Sequence, residues 1–286
     1  MTPITDRAGR FSWLKTLTLA ALAAPAIYLA YRYWTADLGP LPVKEALFFC
    51  GRWAVRFVVI TLALTPAQRI LNWPKLALVR RMTGIAAFSY ALLHFTLYIV
   101  NSKFNLGFVV SEIALRIYLT IGFAALFGLS LLAATSTDWA VRRLGKRWKQ
   151  LHRIVYGIAA LGILHFFMQS KIDASQATMM AGFFFTLMIY RALIAWRIPL
   201  SALALALCAV AGSLVTAIAE FAWYGLASGV DPWRIALANV MLGFGLRPAV
   251  IVLLAGFAVA VIPMARVLWT KLPAPKRSGE ALRQLR

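Results

Sequence analysis

Long apolar runs alternate with short, cation-rich breaks along almost the whole chain. The runs fall roughly at 12–34, 45–65, 82–101, 115–135, 151–169, 177–196, 199–225 and 248–269. Each approaches or exceeds the ~20 residues that carry a helix across a bilayer core. In lipid a backbone must satisfy its own polar groups, so the spanning unit is a helix. The pattern therefore predicts eight membrane-spanning helices. The stretch "PWRIALANVMLG" at 232–243 is also apolar, but Gly243, Gly245 and Pro248 interrupt it. It reads as an interfacial or re-entrant piece before the last span.

Composition agrees with the pattern. Of 286 residues, 62% are hydrophobic and 14% charged, with a mean hydropathy of +0.78. A soluble domain carries about 25% charged residues. The net charge of +21 could suggest a nucleic-acid partner, but its distribution argues against one. Most cations fall in one set of alternate loops: Arg7, Arg10 and Lys15; Arg69, Lys75, Arg80 and Arg81; the run from Arg142 to Arg153; Arg191 and Arg197; and a tail including Lys276, Arg277, Arg283 and Arg286. The opposite loops hold far fewer, among them Lys44, Lys103 and Lys171. This bias predicts that both termini are cytoplasmic. The stretch "LKTLTLAALAAPAIYLA" could be a cleaved signal, but removing it would break the charge alternation, so it is read as the first span. Cys50 and Cys208 sit inside apolar runs with no paired spacing and point to neither a disulfide framework nor a metal site. No loop is long enough to fold alone, and no nucleotide-binding motif is present.

Candidate chemistry lies in the three histidines. His94 sits deep in the third span, and His152 and His165 lie at the start and deep in the fifth. The third and fifth spans run the same way, and at ~1.5 Å per residue both deep histidines lie some 18–21 Å from the cytoplasmic edge. Two imidazoles at one depth on parallel helices can ligate one haem iron from opposite sides. The alternative is a hydrogen-bonded histidine between helices, but ionisable groups in spans are costly and usually functional. Aromatic and small residues lie nearby, among them Phe88, Tyr90, Phe95, Gly157, Gly162 and Phe166. His152 lies about 20 Å from His165 along the helix, a spacing suited to a second cofactor level. An ideal helix would point the two histidines to different faces, so a kink or turn is expected between them. On the third span the position facing His152 holds Arg80, a poor iron ligand but a good partner for a propionate or a flavin phosphate. His152 thus stands as a spare haem ligand, a flavin or quinone contact, or an interfacial residue. In the second span, Arg52 and less surely Arg56 are candidates to neutralise haem propionates, or else they snorkel to the outer interface.

Several stretches resemble the MsrQ family, the haem-binding membrane subunit of the bacterial periplasmic methionine-sulfoxide reductase system, within the ferric-reductase-like transmembrane group. They are "FCGRWAVRF", "LALTPAQRI", "VRRMTGIAAFSYALLHFTLY", "TSTDWAVRRLGKRWKQLHRIVYG" and "HFFMQSKI". The resemblance covers about residues 10–196. His94, His152, His165 and the Arg80–Arg81 pair fall at family positions. Residues 199–286 depart from the short family form, and their apolar runs predict about two extra transmembrane helices and a basic cytoplasmic tail. The resemblance implies an all-α polytopic membrane protein with a six-helix ferric-reductase-like haem-binding bundle in residues 1–198. It implies a multi-pass protein of the bacterial inner membrane with haem b, one or two per chain, and FMN. The chain would be an electron-transfer subunit rather than the sulfoxide-reducing catalyst. Electrons would come from the quinone pool or a cytoplasmic flavin reductase and go to a periplasmic molybdenum-cofactor reductase that repairs oxidised proteins. Two other readings compete: a ferric or oxygen reductase component using a separate flavoprotein, and a non-redox transporter or scaffold. Glu220 in the extension has no assigned chemistry.

Overall fold

The computed structural model describes residue 5 and residues 9–170, 173–239, 241 and 245–271, with 267–271 as backbone only. Arg7, Lys171, Gly243 and the tail cations Lys276, Arg277, Arg283 and Arg286 lie outside the described residues. The described chain is helical apart from loops and one isolated bridge between Thr5 and Phe11. Among the described residues, eight helical stretches are long and apolar enough to cross a membrane.

The first three spans are α1 (Trp13–Trp34), α2 (Pro42–Ile70) and α3 (Arg80–Asn101). Pro25 lies inside α1 and disturbs the backbone ladder there. Tyr90 of α3 reaches into the gap. Its hydroxyl accepts from Ala26 N at 2.8 Å and donates to Leu22 O at 3.0 Å. The phenol thus bonds two backbone groups in the turn around Pro25 and fastens α1 to the bundle.

A short helix, α4 (Leu106–Leu115), precedes α5 (Ile117–Ala134). Sequence periodicity left 106–114 as part of a loop. Asn105 starts α4 by accepting Phe108 N at 3.0 Å, an N-cap. The basic loop also folds, into α6 (Asp138–Leu144) and α7 (Lys146–His152), before α8 (Val155–Gln169). A turn at residues 153–154 separates α7 from α8. Its backbone bonds, Arg153 N to Gln150 O and Ile154 N to Leu151 O, are the tighter three-residue kind. This turn is the break expected between His152 and His165.

The chain continues through α9 (Ser175–Ala195), α10 (Ala202–Trp223), α11 (Pro232–Ala238) and α12 (Pro248–Lys271). α11 covers the first part of the stretch read as an interfacial or re-entrant piece. Glycines bring α9, α10 and α12 close. A β-carbon on Gly182 would collide with Thr216, one on Gly212 with Thr186, and one on Gly256 with Ala209. Such small-residue contacts let helix backbones approach in lipid, where dispersion does most of the association. The outward face of α10 carries Leu203, Leu207, Leu214 and Ile218, all exposed, as a lipid-facing stripe should.

The two deep histidines lie on α3 and α8, which pack with α2 and α5. α2 pairs with α3, α3 touches α5, α5 pairs with α8, and α8 returns to α2. Four helices thus close around a central space, with α9 packed against α2 and α8.

Candidate functional site

The space inside that ring is a cavity of about 710 Å³, a size that suits a cofactor. His94 and His165 both line it. Their ring centroids stand 6.3 Å apart with the ring planes at 79°. A metal–imidazole bond is about 2.0–2.1 Å, and the ring centre lies about 1.1 Å behind the ligating nitrogen, so two imidazoles on one metal stand roughly 6.3 Å apart. The residues present fit a bis-histidine haem.

Each imidazole is held by its other nitrogen. His94 Nδ1 lies 2.8 Å from Leu47 O, and His165 Nδ1 lies 2.7 Å from Tyr118 O. A carbonyl can only accept, so Nδ1 carries the proton in both rings. Nε2 is left as a bare lone pair, the form a metal needs. One helical turn after each carbonyl stands a glycine. A β-carbon on Gly51 would come within 2.9 Å of the His94 ring, and one on Gly122 within 2.7 Å of the His165 ring. Hydrogen there lets each ring lie flat against the neighbouring helix, which brings Nδ1 within bonding distance.

The two halves repeat. Shifted by 71 positions, residue 47 falls on 118, 51 on 122 and 94 on 165. The same shift takes Ala54 to Ala125, Ala91 to Gly162 and Phe95 to Phe166, all lining the cavity. The α2–α3 hairpin and the α5–α8 hairpin are thus two copies of one half-site, a parallel repeat of the kind that builds sites between copies. Conventional motif reading misses Gly51, Gly122 and the two carbonyl partners. The 71-residue offset between paired glycine and histidine positions is the signal that could have found them.

The cavity has a polar mouth and an apolar floor. Lys44, Arg52, Asn101, Glu112, Gln169 and Asp173 lie along its wall toward one end, and Val59, Leu129 and Ile158 toward the other. Arg52 therefore shares the cavity with both histidines. Arg56 does not line it. Its guanidinium lies 4.9 Å from the Trp53 ring centre and donates to Gln176 Oε1 at 3.1 Å. Of the aromatic and small neighbours picked out in the sequence, Phe95, Gly162 and Phe166 reach the cavity wall, while Phe88, Tyr90 and Gly157 do not.

His152 stands apart from this pair. It stacks on Trp148 with centroids 3.9 Å apart. Its Nδ1 lies 3.2 Å from Trp148 O and its Nε2 3.4 Å from Ser136 Oγ. The chain has no fourth histidine to face it. Arg80 donates to Thr65 Oγ1 at 3.3 Å and lies within electrostatic range of both His152 and Arg191. The cation pattern assigns Arg191 to a loop. The structure places it inside the bundle, donating to Tyr156 OH at 2.9 Å and to Leu62 O at 2.7 Å. Arg81 turns away to pair with Asp138 at 2.6 Å, and the hydrogen bond from its guanidinium holds that carboxyl below the usual carboxylate range.

The chain is similar to known membrane proteins. Residues 50–163 match the family described as "Ferric reductase like transmembrane component". That stretch takes in His94 and His152 and stops just short of His165. The chain is 41% identical over 176 residues to a Rhizobium meliloti protein named "Protein-methionine-sulfoxide reductase heme-binding subunit MsrQ", covering 60% of this chain and 77% of that one. Proteins of the same name from Brucella melitensis and Rhodospirillum rubrum are 38% identical over 195 residues and 39% over 179. Those matches cover 68% and 62% of this chain, and 84% of each relative. No solved structure matches.

Proposed function

The chain belongs to the family of heme-binding MsrQ subunits of protein-methionine-sulfoxide reductase, and from that premise we propose that it is a membrane electron-transfer subunit carrying one b-type haem between His94 and His165. The observation that carries this reading is the pair of imidazoles facing across one cavity, each with Nδ1 tied to a carbonyl. A haem held there supplies reversible one-electron chemistry at its iron. The chain's own residues do the rest. Leu47 and Tyr118 fix the tautomer and aim each Nε2. Gly51 and Gly122 give the rings their place. The apolar wall excludes water, and Arg52 at the mouth offers a cation for propionates.

The direction of transfer is part of the proposal. The cation bias of the loops supports an inner-membrane protein with both termini cytoplasmic. On that footing the cavity's polar mouth faces the periplasm, where a molybdenum-cofactor reductase would collect electrons. His152, Arg80 and Arg191 mark the cytoplasmic end, where the quinone pool or a flavin reductase would deliver them. For FMN, Arg80 and Arg191 offer the cationic chemistry of a phosphate site. Residues 1–198 form the haem-binding core in this reading, and 199–286 an extension beside it.

The test is a reduced-minus-oxidised visible spectrum of the detergent-purified protein, with haem counted per chain. Wild type should be red. His94→Ala and His165→Ala should lose the b-type bands, while His152→Ala keeps them in large part. A wild type that stays colourless after haem is supplied would end the electron-transfer reading and bring the transporter or scaffold reading forward.

A further inference from the structure

A second cavity, of about 490 Å³, opens where α2, α9 and α12 end together. Three arginines line it: Arg69 from α2, Arg197 just after α9 and Arg266 from α12. The rest of the wall is apolar, including Ile70, Ile194, Leu200 and Pro263. Among the described residues no carboxylate lines it.

Helix ends attract cations, because the last carbonyls are left bare and partly negative. That accounts for one of the three. Arg266 Nη1 donates to Ile70 O at 3.1 Å, capping α2. Arg69 and Arg197 have no hydrogen-bond or ion-pair partner for their guanidiniums among the described residues. Arg197 also takes a left-handed backbone, φ +59°, which costs a residue with a β-carbon. The turn ends α9 and sets this side chain beside the other two. All three residues are exposed, so their mutual repulsion is partly screened, and an anion seated between them relieves what remains. The apolar wall adds that the anion should carry a hydrophobic body.

We propose that this cavity binds the phosphate head group of an anionic phospholipid, with acyl chains along the apolar wall. Such a lipid bridges the end of α12 to the ends of α2 and α9. Basic pockets between membrane helices on the cytoplasmic side take anionic head groups by this chemistry.

Native mass spectrometry of the full-length protein tests it. The purified chain is titrated with phosphatidylglycerol, cardiolipin, phosphatidylcholine and inorganic phosphate. Wild type should retain one anionic lipid in preference to phosphatidylcholine. Arg69→Gln/Arg197→Gln should weaken retention about five-fold per cation removed, while Arg69→Lys/Arg197→Lys keeps most of it. Arg266 is left intact because it caps α2. A Lys146→Gln/Lys149→Gln variant in the basic loop should bind as wild type does, which separates the site from general surface charge. Helical circular dichroism equal to wild type checks that the variants fold. Equal retention of anionic and zwitterionic lipid would overturn the proposal, as would an unchanged Gln variant. Displacement of the lipid by millimolar inorganic phosphate would overturn it in favour of a free-phosphate site.

Discussion

A hydrogen atom in place of a side chain decides whether either imidazole can reach its carbonyl. Gly51 and Gly122 each stand one turn beyond the carbonyl that holds a histidine. Adding a methyl group at Gly122 must move the His165 ring or the helix, an overpacking of roughly 1–3 kcal/mol. Gly122→Ala should therefore lower haem per chain and broaden the low-temperature spectrum while leaving helicity unchanged; full occupancy with an unaltered spectrum would show that the glycine is incidental. Arg52 is the second residue whose worth can be measured. It shares the cavity wall with both histidines, so Arg52→Leu should speed haem loss to a competing apo-protein. Haem content and loss rate like those of wild type would reduce Arg52 to a snorkelling cation. At this scale the sequence shows which residue types are unusual in a membrane, and hence His94, His165 and Arg52. It does not show what a backbone carbonyl faces. Leu47 and Tyr118 contribute only main-chain oxygens, and no side-chain pattern reports that.

Elements were legible where burial in lipid writes a long apolar run, and less so elsewhere. The eight spans follow from length alone. α4, α6 and α7 did not, because short helices at an interface are set by caps such as Asn105 and Thr137 rather than by hydropathy. Arg191 was misplaced for a related reason. A cation close to a span's end reads as a loop residue, yet its two hydrogen bonds to Tyr156 and Leu62 carry it into the bundle. The packing of α9 on α10 shows how an element's face becomes specific. Gly182 receives Thr216 and Gly212 receives Thr186, a reciprocal fit that needs both glycines. Each threonine hydroxyl is spent on its own helix, Thr186 on Gly182 O and Thr216 on Gly212 O, so the interface itself is a matter of shape. Gly212→Val should cost on the order of 1–3 kcal/mol and lower the thermal midpoint of the detergent-solubilised protein, with the haem spectrum kept until unfolding. An unchanged midpoint would mean that α9 and α10 can part without loss.

Over the whole molecule the duplicated half-site explains why two single histidines suffice. Two copies of a hairpin, related by a shift of 71 residues, put equivalent imidazoles at equal depth and aim them at the same space. What the copies do not share is the ends. One end of the cavity is rimmed by Lys44, Asn101 and Glu112, in or beside the connections that precede α2, follow α3 and precede α5. Toward the other end the wall is apolar, with Val59, Leu129 and Ile158. The extension adds to the polar end: Glu220 is fully buried, bound to Arg247 at 2.5 Å and to Asn239 at 2.9 Å, and Tyr224 OH accepts from Ala174 N at 3.3 Å, beside Asp173 on the cavity wall. A small aqueous reagent should enter past the polar rim rather than between the apolar side chains, and so from one side of the membrane. In the proposed orientation, with both termini cytoplasmic, that side is the periplasm. Dithionite, which does not cross a sealed bilayer readily, should reduce the haem many-fold faster in right-side-out vesicles than in inverted ones, and Glu220→Gln should leave that asymmetry in place. Faster reduction in inverted vesicles would reverse the proposed orientation. Equal rates in sealed vesicles of both kinds would mean that Val59, Leu129 and Ile158 do not bar the reagent, and the one-way route from the cytoplasmic cluster to the periplasmic mouth would lose its physical basis.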